Sequence, residues 1–171
     1  FRYNKFIAAK EANVNMPDKD GWTLIHIAAK KGDLGLINLL AENRSDFNKK
    51  DKWGQTAVFI AVDNGHIDVI NLLIEKGADV NTANNDGWTP LLIAAKKGYV
   101  DVINLLIENG VDVNAANNDG ATAVSVAASN GHIDVINLLA VKGGSVKMAG
   151  NYVDLVEKTT EIKYIDFGMG G

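Results

Sequence analysis

From Asn84 to Asn114 the chain reads NNDGWTPLLIAAKKGYVDVINLLIENGVDVN, and its polar and apolar positions fall into blocks. An Asn/Asp-rich turn with glycine comes first, then an Ala-rich apolar stretch, then a Leu-Leu stretch closed by Asn-Gly. Thr89 stands where a helix N-cap or first turn is expected, and TPLLIAAKK predicts a first helix of about eight residues. Pro90 falls at the first helical position, where proline is tolerated. Gly98 ends this helix, because glycine takes the left-handed conformation at little cost. VDVINLLIEN predicts a second helix running to Gly110, with Val102, Leu105, Leu106 and Ile107 at helical spacing on a broad apolar face. The following VDVNAANNDG, with paired Asn and Asp-Gly, reads as an extended, hairpin-like turn.

The pattern returns with a period of 33 residues. That offset links Gly21, Gly54, Gly87 and Gly120, then Thr23, Thr56, Thr89 and Thr122, then Gly32, Gly65, Gly98 and Gly131. It also links Leu39-Leu40, Leu72-Leu73, Leu105-Leu106 and Leu138-Leu139. Helices this short are marginal alone, so they must stack on their neighbours. The small Ala94-Ala95 and Ala127-Ala128 pairs would let adjacent helices come close.

These residues resemble the ankyrin-repeat family. Its Thr-Pro-Leu-His-x-Ala motif stands here as TLIHIA at 23–28, TAVFIA at 56–61, TPLLIA at 89–94 and TAVSVA at 122–127. Its Gly-His after the first helix is present as Gly65-His66 and Gly131-His132, and Gly-Ala-Asp-Val-Asn stands intact at 77–81. The resemblance covers about residues 13–148 and implies an all-α solenoid of stacked helix-turn-helix units with hairpin-like connecting loops. The expected organisation is one domain over 1–171, with a partial unit at 1–17, repeats at 18–50, 51–83, 84–116 and 117–149, and a capping segment and tail at 150–171.

Departures from the motif carry expectations of their own. Only His26 keeps the motif histidine, replaced by Phe59, Leu92 and Ser125, so the threonine-to-histidine hydrogen bonds should be missing from three repeats. Arg44-Ser45 stands where Gly-Ala is expected, which leaves the end of that second helix without its glycine. Residues 1–15 align with the latter half of a repeat, Phe6-Ile7 matching Leu39-Leu40 and Asn15 matching Asn48. NYVDLVEKTTEI reads as a capping helix with YIDFGMGG as tail, since a finite solenoid needs altered ends. A start at Phe1 suggests a trimmed chain.

Composition adds limits. With 47% apolar and 22% charged residues among 171, the chain is that of an ordered protein. It has no cysteine, which removes thiolate chemistry and suits an intracellular, cytoplasmic setting. No apolar run approaches membrane-spanning length, so no membrane association is expected. The net charge of -4 is unevenly placed: residues 1–50 hold nine Lys or Arg against six Asp or Glu, and residues 51–171 hold eight against fifteen. His26, His66 and His132 sit at repeat positions and read as structural groups bonding turn backbone; no zinc-ligand spacing, catalytic constellation or cofactor motif appears. Asp166-Phe167-Gly168 and the terminal GMGG lack the companion motifs of a kinase or a phosphate-binding loop.

The resemblance implies recognition of another protein through the turn tips and the exposed side of the first helices, which together line a concave surface. By register these positions are Lys19, Asp20, Trp22, Lys30 and Lys31 in the first full repeat and Lys52, Trp53, Gln55, Asp63 and Asn64 in the second. Asn85, Asp86, Trp88, Lys96 and Lys97 belong to the third, and Asn118, Asp119, Ala121, Ser129 and Asn130 to the fourth. All three tryptophans fall in this set, at positions not expected to serve stacking, and Trp is a frequent hot-spot residue. The Lys30-Lys31 and Lys96-Lys97 pairs favour an acidic protein segment, while Asp20, Asp63, Asp86 and Asp119 interrupt any phosphate-binding stripe and argue against nucleic acid. A monomeric binding module or adaptor is therefore expected, with a structural spacer inside a longer chain as the alternative and an enzyme as the weakest reading.

Overall fold

The computed structural model describes residues 13–145. Within them are eight helices, α1 (Leu24–Lys31), α2 (Leu34–Glu42), α3 (Ala57–Asp63), α4 (Ile67–Glu75), α5 (Pro90–Lys97), α6 (Val100–Glu108), α7 (Ala123–Ser129) and α8 (Ile133–Val141). Each odd-numbered helix opens on a threonine in extended conformation, and Thr56 and Thr89 Oγ1 accept from the backbone N–H of Phe59 and Leu92. Pro90 is the first residue of α5, and Gly98 closes that helix at φ 75 as its type predicts. No strand or sheet occurs among the described residues; one isolated antiparallel bridge joins Ala116 and Thr122. The all-α solenoid that the resemblance implies is what the described residues form.

The odd helices stack in one row, α1 on α3, α3 on α5 and α5 on α7. The even helices form a second row, each packed on its own odd helix and on the next even one. Ala28, Ala29, Ala61, Ala94, Ala95 and Ala127 are fully buried, which explains the Ala-rich blocks: without bulk at these positions, helix axes approach closely. On the even helices the residues facing in are Leu36, Ile37 and Leu40 and their counterparts, such as Val102, Ile103 and Leu106. Burying each Leu or Ile of this set stabilises by roughly 1.5–3 kcal/mol. Helices of seven to nine residues need that stacking to persist.

Asparagine and aspartate build the connections. Asp18, Asp51, Asn84 and Asn117 each turn one side-chain oxygen onto two backbone N–H groups of their own loop, as Asn84 does with Asp86 and Trp88 at 3.0 and 2.9 Å. Successive turns are then joined by backbone bonds, Lys52 N–H to Asp20 O at 3.0 Å, Asn85 N–H to Trp53 O at 2.9 Å and Asn118 N–H to Asp86 O at 3.1 Å. At Gly87, φ is 78° and a Cβ would lie 2.7 Å from Asn118 N, so both conformation and the closeness of the next turn demand glycine. A second ladder runs through Asn15, Asn48, Asn81 and Asn114, whose side-chain oxygens accept from Asp46, Asp79, Asp112 and Ser145 N–H, 31 residues ahead. Asn15, Asn81 and Asn114 also donate to Arg44, Gly110 and Gly143 O.

Two sequence expectations are modified. Arg44 takes φ 59, the conformation its glycine counterparts Gly77, Gly110 and Gly143 adopt, so the turn forms without the glycine. Ser125 does not simply lose the motif bond: its short hydroxyl accepts from Thr122 N–H at 2.9 Å while its own N–H points to Thr122 Oγ1. The reciprocal cap is thus absent only where Phe59 and Leu92 supply no polar atom. Residues 1–12, the capping segment and tail at 150–171 and the Asp166-Phe167-Gly168 triplet lie outside the described residues.

Candidate protein-binding surface

Between α1 and α3 lies a cleft of about 220 Å³ lined by Trp22, Lys30, Gln55, Phe59, Ile60, Asp63 and Asn64. Five of these seven are residues singled out by register. Phe59 and Ile60, each 4% exposed, form its floor and escape the sequence argument because they read as core. The only signal for Phe59 is an aromatic residue at the position where His26 stands one repeat earlier.

The tryptophans are not equivalent. Trp22 and Trp88 follow the turn glycine and are half-buried against the core, whereas Trp53 precedes Gly54 and is 46% exposed. Gln55 therefore occupies in the second repeat the place of Trp22 and Trp88, and Ala121 occupies it in the fourth. The expectation that no indole serves stacking holds for Trp53 alone; the others shield apolar side chains while keeping part of the ring in water. Each indole carries a lysine over its face, Lys30 at 5.2 Å from Trp22, Lys52 at 4.4 Å from Trp53 and Lys96 at 5.3 Å from Trp88.

Several other register-derived residues are engaged within the chain. Lys52 pairs with Asp20 at 2.6 Å and Lys97 with Asp63 at 3.1 Å, exposed pairs that tie neighbouring repeats at a net gain of about 0–1 kcal/mol each. Asn85 and Asn118 donate their side-chain amides to Lys52 O and Asn85 O, both at 3.0 Å, and so belong to the turn ladder. Ser129 Oγ and Asn130 Nδ2 donate to carbonyls of α7, Ser125 O and Val126 O. Lys19, Lys31, Asp86 and Asp119 are exposed, Lys19, Asp86 and Asp119 at turn tips and Lys31 at the end of α1. The structure thus gathers Trp22, Lys30, Gln55, Asp63 and Asn64 into one cleft and distributes the rest along the row.

The histidines hold repeats together. His66 and His132 reach back with Nε2 to Lys30 O and Lys96 O at 3.1 and 2.9 Å. His132 also lies over Gly98, where a Cβ would come within 2.8 Å of its ring nitrogen. His26 is fully buried, its Nδ1 3.0 Å from Thr23 N and its Nε2 3.0 Å from Lys49 O. Because Thr23 N can only donate, Nδ1 accepts, and the ring proton sits on Nε2. Burial holds the His26 pKa below the ordinary 6.5, outweighing the Lys49 carbonyl and the Asp51 charge, which pull it up. Among the described residues no three His, Asp or Glu converge on a metal position, and no helix is long and apolar enough to cross a membrane.

A family model described as Ankyrin repeats (3 copies) matches residues 3–84 and 81–149. Such repeats are generally protein-protein interaction modules and typically non-enzymatic. No curated protein matches the chain. The match spans most of the sequence, and paired helices in two rows with laddered turns recur at its period: the chain belongs to the ankyrin-repeat family.

Proposed function

We propose that this chain is a monomeric adaptor that holds another protein against its odd-helix face and turn tips. The observation that carries the reading is the cleft between α1 and α3, where a half-buried indole, a lysine, two side-chain amides and a carboxylate surround an apolar floor. That mixture suits a protein surface: the apolar ring supplies area, and the polar rim supplies direction. A rigid stack presents these groups already ordered, so little freedom is lost on binding.

The test is capture from an extract of the source cell by the wild-type chain and by a Lys30→Ala/Gln55→Ala/Trp53→Ala variant. All three side chains lie outside the buried core, so the melting temperature should hold within about 3 °C, as expected for surface changes. Proteins retained by the wild type should fall at least about tenfold on the variant, the effect of losing about 1.4 kcal/mol. Equal capture by both would remove the odd-helix face from the reading.

A further inference from the structure

We propose that the odd-helix face reads an extended acidic segment at two points, one carboxylate beside Trp22 and Lys30 and a second beside Trp88 and Lys96, with a non-acidic residue between them. This rests on the preceding reading that the face binds protein, and specifies the chemistry of what it binds.

The first and third repeats carry the same station. Asp20-Gly21-Trp22-Thr23 and Asp86-Gly87-Trp88-Thr89 are each followed by a Lys-Lys pair at the helix end. In both, the first lysine of the pair stands over its own indole, at 5.2 and 5.3 Å. The ring face steadies the ammonium without neutralising it, leaving its donors for a carboxylate that also contacts the indole edge. Helices in contact lie roughly 8–10 Å apart, so α1 and α5, separated by α3, place the two stations about 16–20 Å apart. An extended chain advances about 3.3 Å per residue, so the two carboxylates would stand about five or six residues apart.

The repeat between them breaks the pattern in a way that sets the sign of the middle. It offers Asp63, at 3.1 Å from Lys97, where its neighbours offer lysine. At this register position the face runs lysine, aspartate, lysine, and a third acid over the centre of the segment meets the Asp63–Lys97 pair instead of a free lysine. A centre whose lysine is already held by a carboxylate gives a third acid no partner, which discriminates among acidic sequences instead of merely attracting them. Gln55 fills the place of the missing indole, and its side-chain amide makes no hydrogen bond among the described residues. An amide both donates and accepts, which matches the unpaired main-chain groups of an extended segment; a helix has already paired its own.

The test is selection of phage-displayed random peptides, about 12 residues long so as to span both stations, on the 171-residue chain. Enriched peptides should carry two Asp or Glu about five or six positions apart with a non-acidic centre. A synthetic peptide of that pattern should bind about threefold to fivefold more weakly to Lys30→Gln or Lys96→Gln, and about tenfold or more weakly to the double variant. Asp63→Asn should raise the affinity of a peptide with an acidic centre. Enriched peptides without the paired acids, yet sensitive to Lys30→Gln, would overturn the two-point reading and leave protein binding at this face standing. Peptides indifferent to every substitution on the face would overturn both, and a selection with no enrichment would overturn the two-point reading.

Discussion

Replacing Asn81 by alanine isolates the coupling between repeats. The Asn81 side chain accepts from Asp112 N–H at 3.0 Å and donates to Gly110 O at 3.2 Å, joining the loop after α4 to the loop after α6. Two hydrogen bonds at about 0.5–1.5 kcal/mol each set a range of about 1–3 kcal/mol. The site is solvent-exposed, so water replaces part of what is lost, and the lower end of that range applies, about 1–1.5 kcal/mol. For a chain of this size that corresponds to a melting temperature lower by about 2–6 °C. Asn71→Ala is the matched control. Its amide reaches only Glu75 Oε1 within the same helix, at 2.9 Å, and alanine improves helix propensity there. Thermal melting followed by circular dichroism should separate the two variants, and hydrogen exchange should show faster exchange of the Asp112 amide in Asn81→Ala alone. If the two variants melt within about 1 °C of each other, the asparagine ladder does not couple the repeats, and the argument from its geometry fails.

Arg44→Gly should stabilise the chain, since φ 59 strains a residue with a Cβ by about 1–2 kcal/mol, and the freer unfolded glycine returns only about 0.5–1 of it. The net gain of about 0.5–1 kcal/mol would appear as a higher urea midpoint at unchanged slope, and a lower midpoint would contradict it. His26 makes stability depend on pH: its folded pKa lies below the ordinary 6.5, so as pH falls through that value the unfolded chain takes up the proton first and stability drops. Protonation would also set an N–H of the ring against Thr23 N–H. Urea midpoints measured from pH 8 down to pH 5 should therefore fall, and less steeply in His26→Leu, since leucine stands buried at the same register position two repeats on, as Leu92; parallel curves would refute this.

Much of the fold is legible because each repeat touches only its neighbours, so the contacts that stabilise the stack recur at the sequence period. Ala94-Ala95, Gly98 and Thr89 could be placed from local pattern, and the structure puts them at a helix contact, a helix end and a helix start. The asparagines were visible as a composition but not as a ladder, since Asn81 meets residues 29 and 31 positions ahead of it. The surface was less legible. Register brings Trp22, Trp53 and Trp88 forward together, but register does not say that two rings pack against the core while the third is 46% exposed.

The sequence by itself determined the helical hairpin, its length and its repetition, because turn chemistry, caps and apolar spacing act over a few residues and were written four times. Only the tertiary structure decided which exposed groups remain available. Lys52 closes on Asp20, Lys97 closes on Asp63 and Asn118 is drawn into the next turn, whereas Trp22, Lys30 and Gln55 open onto one cleft. Those pairings depend on the distance between neighbouring repeats and the direction of each side chain, quantities set by how the helices pack and not by the order of polar and apolar residues along the chain.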